Sequence, residues 1–460
     1  MARSEVLTLA LFGLMLPLVL GSSLLIFNDG DVSWHIAAGQ WMLDHRALPQ
    51  ADPFSFTHAG GKWVTFEWLS QLIYGSAHRL AGFAGVAAVV TLALVALHLI
   101  VVHEARRWVG PWGIAATVLL LDLTLIPMML ARPHLLAWPL LALWLAILLR
   151  ARQADRAPPL LAAFLLLPWA NLHGSWALGI VIAAFVALDH CLARRWHWPL
   201  VKAWLLFGIL ASLNPLLTPN GLDGFLHPLT VSKLETLPLI VEWRPSDPGR
   251  TPWFFAALAI TAAIALWRGV RLRPVMALLL VLLLAMALHQ MRHQAMVAIA
   301  AALILPPALS RGERGALTIS RGLIAAGVAG LVALLAFRAI TPLEPAENGA
   351  HPRTALAAIP PDLRGQPVLN GYSFGGPLIR AGVPVYIDGR SDMYGDAFMR
   401  DYQRIVDGNA AALERAVRRY DIAWTMLPPR YDKLVANLDR DPAWRRVYAD
   451  SVAIIHRRAD

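Results

Sequence analysis

The sequence predicts a polytopic α-helical membrane protein with about eleven transmembrane helices and a C-terminal extracytoplasmic domain of α/β or α+β type. Of its 460 residues, 57% are hydrophobic and 15% are charged, and the mean hydropathy is +0.54. A soluble domain carries roughly 25% charged residues, because water must solvate its surface. The composition therefore excludes a soluble enzyme, a disordered chain and a disulfide scaffold, and the single cysteine, Cys191, cannot form an intrachain disulfide.

Eleven apolar runs are candidate spans, since a bilayer core of about 30 Å needs roughly 20 apolar residues per helix. The runs are 6–27, 82–102, 111–130, 134–149, 158–170, 175–192, 199–216, 252–267, 274–290, 294–309 and 321–340. The first run is longer than the apolar core of a signal peptide, so we expect an anchor. We therefore divide the chain into a transmembrane domain at 1–340, with a large first outer loop at 28–81, and a soluble domain at 341–460.

The basic residues predict the orientation of the spans. The short loops 103–110, 150–157, 193–198, 268–273 and 310–321 hold 13 arginines in 40 positions, whereas the longer loops of the other set hold eight lysines and arginines. Short loops rich in arginine stay in the cytoplasm. We expect a multi-pass protein with a cytoplasmic N-terminus, and with the loop 28–81 and the C-terminal domain outside.

Acidic residues mark the first outer loop as a candidate site. Asp29 and Asp31 follow the first run directly, where a carboxylate can take a proton from an acceptor hydroxyl or hold a divalent metal ion. The alternative is that residues 28–31 cap a helix that begins near Ser33. Both roles can coexist. Glu67 begins a second helical stretch. A carboxylate at a helix N-terminus interacts favourably with the helix dipole, so capping is the simpler role for Glu67.

Tryptophans at helical spacing surround these acids. Trp34 and Trp41 recur in one stretch, which also contains the candidate His35, and Trp68 and Leu72 recur in the next. Two short amphipathic helices that lie in the membrane interface, with tryptophans at headgroup depth, would satisfy both patterns.

Short outer turns carry cationic and amide side chains. The candidates for substrate binding there are Arg132, His134, Asn171, His173, Arg292 and His293. Three such turns at one leaflet favour an anionic ligand such as a phosphate, although a lone arginine commonly snorkels to lipid headgroups. His289 and His293 are four residues apart, the spacing of a metal pair on one helix face, but no carboxylate accompanies them. Asp122, inside a span, is unassigned or pairs with a buried histidine or backbone group.

The tail has the composition of a soluble domain. We predict strands at 367–370, 384–387 and 421–427, helices at 374–381 and 396–419, and a closing hairpin at 444–456. Asp388-Gly389-Arg390 is a polar turn after a strand, where sites often lie in such domains; a turn held by an Asp–Arg pair is the alternative.

Several short motifs together resemble a known superfamily. They are Asp29-Gly-Asp31, Trp34-His35, Gly39, Pro53-Phe54-Ser55, Glu67-Trp68-Leu69, Arg132-Pro133, Asn171-Leu-His173-Gly174, Asn370, Gly375-Gly376 and Asp388-Gly-Arg390. With about eleven spans and an outward C-terminal domain, they resemble the GT-C glycosyltransferases, and more narrowly a group of poorly characterised bacterial membrane proteins. The resemblance implies a bacterial cytoplasmic (inner) membrane, a polyprenyl-phosphate sugar donor and a first-loop carboxylate as the base. This chain has Asp-x-Asp where the family usually has another acidic pair. The base that the resemblance implies is therefore Asp31 or Asp29.

The sequence thus predicts a membrane glycosyltransferase that acts on the extracytoplasmic face. Its expected partners are a polyprenyl-phosphate-linked sugar, an acceptor that is a glycan, a lipid or a protein, and membrane lipids. Nucleic acid is not expected, because the cations lie in cytoplasmic loops. A divalent metal ion can share the stabilisation of the departing phosphate, and no other cofactor is expected. The alternatives are a transporter or flippase of a lipid-linked or anionic substrate and a non-catalytic envelope assembly factor.

Overall fold

A computed structural model describes residues 26–310 and 343–459, with single positions between 325 and 341. The described chain forms two compact units. The membrane unit comprises Ala87–Pro228 and the described part of Leu237–Pro342. The second unit, called the outer unit because the sequence predicts an extracytoplasmic position for it, comprises Ile26–Val86, Leu229–Thr236 and the described residues from Leu343 onward.

Helices dominate both units. The described α-helices are α1 (Asp31–His45), α2 (Trp68–Ala105), α3 (Pro111–Leu125), α4 (Pro133–Gln153), α5 (Leu166–Leu172), α6 (Trp176–Ala193), α7 (Trp198–Leu213), α8 (Gly221–Val231), α9 (Pro252–Trp267), α10 (Pro274–His289), α11 (Gln294–Leu309), α12 (Arg353–Ala357), α13 (Gly375–Arg380), α14 (Ser391–Val406), α15 (Ala410–Tyr420) and α16 (Asp432–Arg440). The described strands are β1 (Val368–Asn370), β2 (Trp424–Leu427), β3 (Trp444–Ala449) and β4 (Ile454–Arg458).

Nine of the eleven predicted spans coincide with apolar helices. Six helical segments of the described chain are long and apolar enough to cross a membrane, and three shorter apolar ones accompany them at Leu160–Leu172, Pro252–Trp267 and Pro274–His289. The predicted spans 6–27 and 321–340 fall for the most part outside the described residues. Helix α2 contains both the second amphipathic stretch of the first loop and the span 82–102, with a kink at Ala81–Gly82. Gly82 has a φ of 58°, which favours glycine.

A buried contact between a carboxyl group and a histidine lies between two spans of the membrane unit. Asp122 of α3 is 5% exposed, and its Oδ1 atom is 2.7 Å from Nε2 of the buried His98 of α2. The Nδ1 atom of His98 is 2.7 Å from the Leu94 carbonyl oxygen. The sequence offered a buried histidine or a backbone group as the partner of Asp122, and the structure shows the histidine.

Helix α1 packs against the tail, which corrects two predictions about the first outer loop. Trp34, Ala38 and Met42 of α1 are buried in one apolar cluster with Phe374 and Leu378. Because these α1 side chains recur every four residues, they form one stripe, and α13 covers it. Protein therefore buries the face that we assigned to the membrane interface. The loop that we placed in the transmembrane domain folds with the tail instead.

The tail contains a four-stranded sheet of order β1-β2-β4-β3, in which β1 and β2 are parallel and the other pairs are antiparallel. The strands predicted at 367–370 and 421–427 and the closing hairpin are present. The segment 384–387 forms only isolated bridges, at Val385. The helix predicted at 396–419 is interrupted near Gly408, whose φ is 84°, and α16 was not predicted.

Candidate functional site

Two arginines of the membrane unit share one carboxylate. Arg132 lies directly before α4 and donates a hydrogen bond from Nη1 to Glu242. Glu242 lies in a 3₁₀ turn at Val241–Trp243, and its Oε1 atom is 4.0 Å from Nη1 of Arg292. The three side chains are between 14% and 28% exposed. The structure thus brings two guanidinium groups, the side chains that bind phosphate best, to one carboxylate.

Packing fixes Arg292 beside that carboxylate. Its guanidinium lies 3.9 Å from the centre of the Trp243 ring, a favourable cation–π contact. The Met291 amide donates to the Arg244 carbonyl at 3.0 Å and joins the two turns. Burial alone would raise the pKa of Glu242, but Arg132 and Arg292 outweigh this effect and hold that pKa below its usual value. Glu242 is therefore ionised at neutral pH.

Histidine and amide side chains lie near this group. The rings of His134 and His173 are 6.2 Å apart, and Nε2 of His134 is 3.0 Å from the Met128 carbonyl oxygen. The Ser175 amide donates to Nδ1 of His173 at 3.2 Å, which leaves Nε2 to carry the proton of the neutral ring. Asn171 instead donates to the Leu167 carbonyl at 2.8 Å, within its own helix.

Asn214 is a polar residue that the candidate set omitted. It is 2% exposed in the 3₁₀ turn that packs against α5, and its Nδ2 atom has no hydrogen-bond partner among the described residues.

The proposed histidine pair at the third turn does not share a helix face. His289 is the last residue of α10, and Gln290 follows in extended conformation, with φ −144° and ψ 124°. His293 then lies in a separate 3₁₀ turn before α11. A spacing of four residues places two side chains on one face only within a continuous helix, and here the helix ends between His289 and His293. More widely, no three His, Cys, Asp or Glu side chains of the described ranges lie close enough together to hold a metal ion.

The acids of the first outer loop lie at the start of α1. This helix begins at Asp31, two residues before the predicted start, and the Asp31 amide donates to Oδ1 of Asp29 at 2.7 Å. Asp29 therefore has the capping role that the sequence offered as an alternative. The carboxylate of Asp31 lies against Gly389 of the tail, closely enough that a methyl group on Gly389 would overlap with it.

The other two candidates in this loop, His35 and Glu67, lie within α1 and directly before α2. His35 is 3% exposed, and its ring lies against that of Trp34, with the centroids 3.6 Å apart and the ring planes tilted by 34°. Glu67 precedes α2, and its carbonyl accepts the Gln71 amide at 3.1 Å, as expected for a residue at the helix start.

A fully buried charge network fixes the turn next to Asp31. Arg390 donates from Nε and Nη2 to Asp388, at 2.8 and 2.6 Å, and from Nη1 to Asp52 at 2.7 Å. All three side chains are at most 1% exposed. Burial would lower the pKa of Arg390, but Asp388 and Asp52 hold it above its usual value. The Asp–Arg alternative for residues 388–390 is thus correct, and Asp52, to which we had assigned no role, completes it.

The predicted site residues fall into two groups. In the membrane unit, Arg132, His134 and Arg292 lie around Glu242, whose charge acts on each of them. In the outer unit, Asp29 and Asp31 lie beside the turn that contains Gly389.

Comparison with known proteins rests on structure, since neither a protein-family model nor a curated protein matches the sequence. The oligosaccharyltransferase of Archaeoglobus fulgidus in its apo form aligns over 92% of this chain and 69% of its own, with 12% identity and a TM-score of 0.50. Archaeal oligosaccharyltransferase AglB from the same organism, in complex with an inhibitory peptide and a dolichol-phosphate, aligns over 98% and 74%, with 11% identity and a TM-score of 0.51. The chain has the GT-C fold.

A third solved structure has a lower TM-score than these two. ArnT from Cupriavidus metallidurans, bound to undecaprenyl phosphate, covers 97% of both chains at 14% identity and a TM-score of 0.48. The two oligosaccharyltransferase structures show that the chain has the kind of fold that the resemblance implied.

Proposed function

We propose that this chain is a membrane glycosyltransferase that moves a sugar from a polyprenyl-phosphate donor to an acceptor on the extracytoplasmic face. A fold alone does not determine a function, so the proposal depends on the side chains. The observation that carries it is the pair of arginines that share Glu242, since guanidinium groups bind phosphate groups through two parallel hydrogen bonds. The GT-C fold, shared with a protein whose structure contains dolichol-phosphate, supports a lipid-linked phosphate as the anion.

The proposed reaction is a displacement at the anomeric carbon of the sugar. The acceptor hydroxyl oxygen forms the new bond to this carbon while the bond from the carbon to the phosphate oxygen breaks. The polyprenyl phosphate leaves with the electron pair, and Arg132 and Arg292 stabilise its charge. The acceptor proton passes to Asp31. We choose Asp31 over Asp29 because Asp29 serves the start of α1, where it accepts the Asp31 amide.

The remaining features of the proposal follow from the sequence. The arginine-rich loops predict a multi-pass protein whose outer unit is extracytoplasmic. The resemblance to the GT-C glycosyltransferases implies that the membrane is the bacterial inner membrane. The acceptor is a glycan, a lipid or a protein hydroxyl. A divalent metal ion, where one binds, would share with Arg132 and Arg292 the stabilisation of the departing phosphate.

Transfer from defined donors tests the proposal. The purified full chain in nanodiscs is mixed with undecaprenyl-phosphate hexoses that carry a radiolabelled sugar, and release of the label from the lipid is followed. We expect Arg132→Gln to lower kcat by about 10²–10³, as for the loss of one oxyanion-stabilising donor. The matched control is Arg250→Gln, because Arg250 is an exposed arginine of the outer loop.

The proposed base has a control on its own helix. Asp31→Asn is expected to lower kcat by about 10²–10⁴, the usual contribution of a general base. Asp44→Asn should leave it unchanged, since Asp44 lies near the other end of α1 in an exposed pair with Arg79. Wild-type turnover in Arg132→Gln, or in both Asp31→Asn and Asp29→Asn, would contradict the assignment.

A further inference from the structure

The tail closely confines the carboxylate of Asp31. An ideal Cβ atom built on Gly389 would lie 2.6 Å from Cγ and 2.8 Å from Oδ2 of Asp31, well inside van der Waals contact. The φ of Gly389 lies outside the left-handed region, so its backbone accommodates an alanine. The requirement for glycine at this position therefore comes from the adjacent carboxylate.

Buried hydrogen bonds hold the turn that contains Gly389 on both sides. After it, Arg390 is fixed by Asp388 and Asp52, and the Tyr394 hydroxyl donates to Asp388 at 2.8 Å. Before it, the side chain of Asn370 accepts the Tyr386 amide at 2.9 Å and donates to the Ile387 carbonyl at 2.8 Å. Such a network leaves the turn little freedom to move away from Asp31.

The start of α1 is held by the same domain. A methyl group on Gly30 would overlap with the Ser373 carbonyl, and one on Gly376 of α13 would lie 3.2 Å from the Trp34 amide nitrogen. Backbone approaches this close exclude any side chain, so the tail fixes both the backbone and the carboxylate of Asp31.

We infer that the turn Asp388–Arg390 is a positioning element that sets the orientation of the Asp31 carboxylate toward the acceptor hydroxyl. This inference rests on the proposed function and gives the C-terminal domain a part in it. Arg390 acts only through this placement, because its guanidinium is bound by two carboxylates and is 1% exposed. A misplacement of about 1 Å can reduce catalysis about 10²-fold.

Gly389→Ala isolates the contact. We expect kcat for transfer to fall about 10²-fold, with the KM for the lipid donor unchanged and with a shift of the acidic limb of the pH–rate profile. A purely structural defect would lower the amount of folded enzyme and would leave this limb in place. Gly365→Ala is the matched control, since Gly365 lies in the same domain and a Cβ there has no atom within 4 Å.

A double-mutant cycle measures the same contact without activity. The decrease in melting temperature caused by Gly389→Ala should largely disappear in the Asp31→Ala background, where the methyl group takes the space of the carboxylate. Additive effects on stability, or wild-type kcat in Gly389→Ala, would overturn the inference. A wild-type chain that transfers no sugar would instead refute the proposed function, and with it the role of Asp31 as the base.

Discussion

The buried network of Asp52, Asp388 and Arg390 makes a quantitative prediction for Arg390→Met. The substitution keeps an unbranched apolar stem of similar length but leaves two carboxylates buried without their cation. Removing one partner of a buried ion pair typically costs about 3–5 kcal/mol. For a unit of 150–250 residues, each kcal/mol lowers the melting temperature by about 2–4 °C. We therefore expect the melting temperature of the outer unit to fall by about 6–20 °C.

Thermal unfolding of the full chain in detergent, followed by tryptophan fluorescence, measures this change. Trp63 is one of the 18 tryptophans that contribute to this signal, and the Arg390 guanidinium lies 4.7 Å from its ring centre. Arg400→Met is the matched control, because Arg400 pairs with Glu235 at 3.0 Å while their side chains are 48% and 79% exposed. Such an exposed pair contributes roughly 0–1 kcal/mol. A decrease for Arg390→Met no larger than that of the control would refute the argument that these charges are buried and paired.

Three further predictions concern single positions. Glu242→Gln removes the anion that two partly buried guanidiniums share, so the melting temperature of the variant without lipid should be lower than that of the wild type. Undecaprenyl phosphate should then raise the melting temperature more in the variant than in the wild type. An equal rise in both would contradict the phosphate site. Gly376→Ala should lower stability by about 1–3 kcal/mol because a methyl group overlaps with the backbone at Gly30, and an unchanged melting temperature would show that α1 and α13 can separate. Burial lowers the pKa of His351 from 6.5 to about 4, although its hydrogen bond to the Phe27 carbonyl has the opposite effect. As the pH falls, the unfolded chain therefore takes up a proton at this residue before the folded chain does. The free energy of unfolding of the outer unit should decrease by up to about 3 kcal/mol between pH 6.5 and pH 4. His351→Gln should remove this pH dependence in acid-unfolding curves.

Local signals allowed the sequence to predict the spans and the strands of the tail. Nine apolar runs are helices, because an apolar run of that length has few other stable conformations in a bilayer. The segments around Leu369 and Thr425 alternate with turn residues, so their strands were recognisable. The break at Gly408 was missed, because helical periodicity on both sides of it obscured the turn.

Contacts between distant segments were beyond sequence reasoning. The charge of Arg390 gives no sign that its partner is Asp52, which is 338 residues away. Glu242 was visible as an outward acid, but its position between Arg132 and Arg292 depends on how three separate turns pack. The stripe of α1 correctly predicted burial, although the same pattern fits lipid and protein equally well, and α13 supplies the actual cover.

The link between Asp52 and Arg390 also constrains the biogenesis of the chain. The loop that contains Asp52 leaves the ribosome long before the residues that neutralise and cover it. At about 5–20 residues per second, synthesis of the intervening 338 residues takes roughly 17–70 s. During this interval the early segment has neither its counter-charge nor α13 over its tryptophans. The outer unit can therefore assemble only after translation is nearly complete, and a chain that stops before residue 390 would expose this segment to proteases or chaperones.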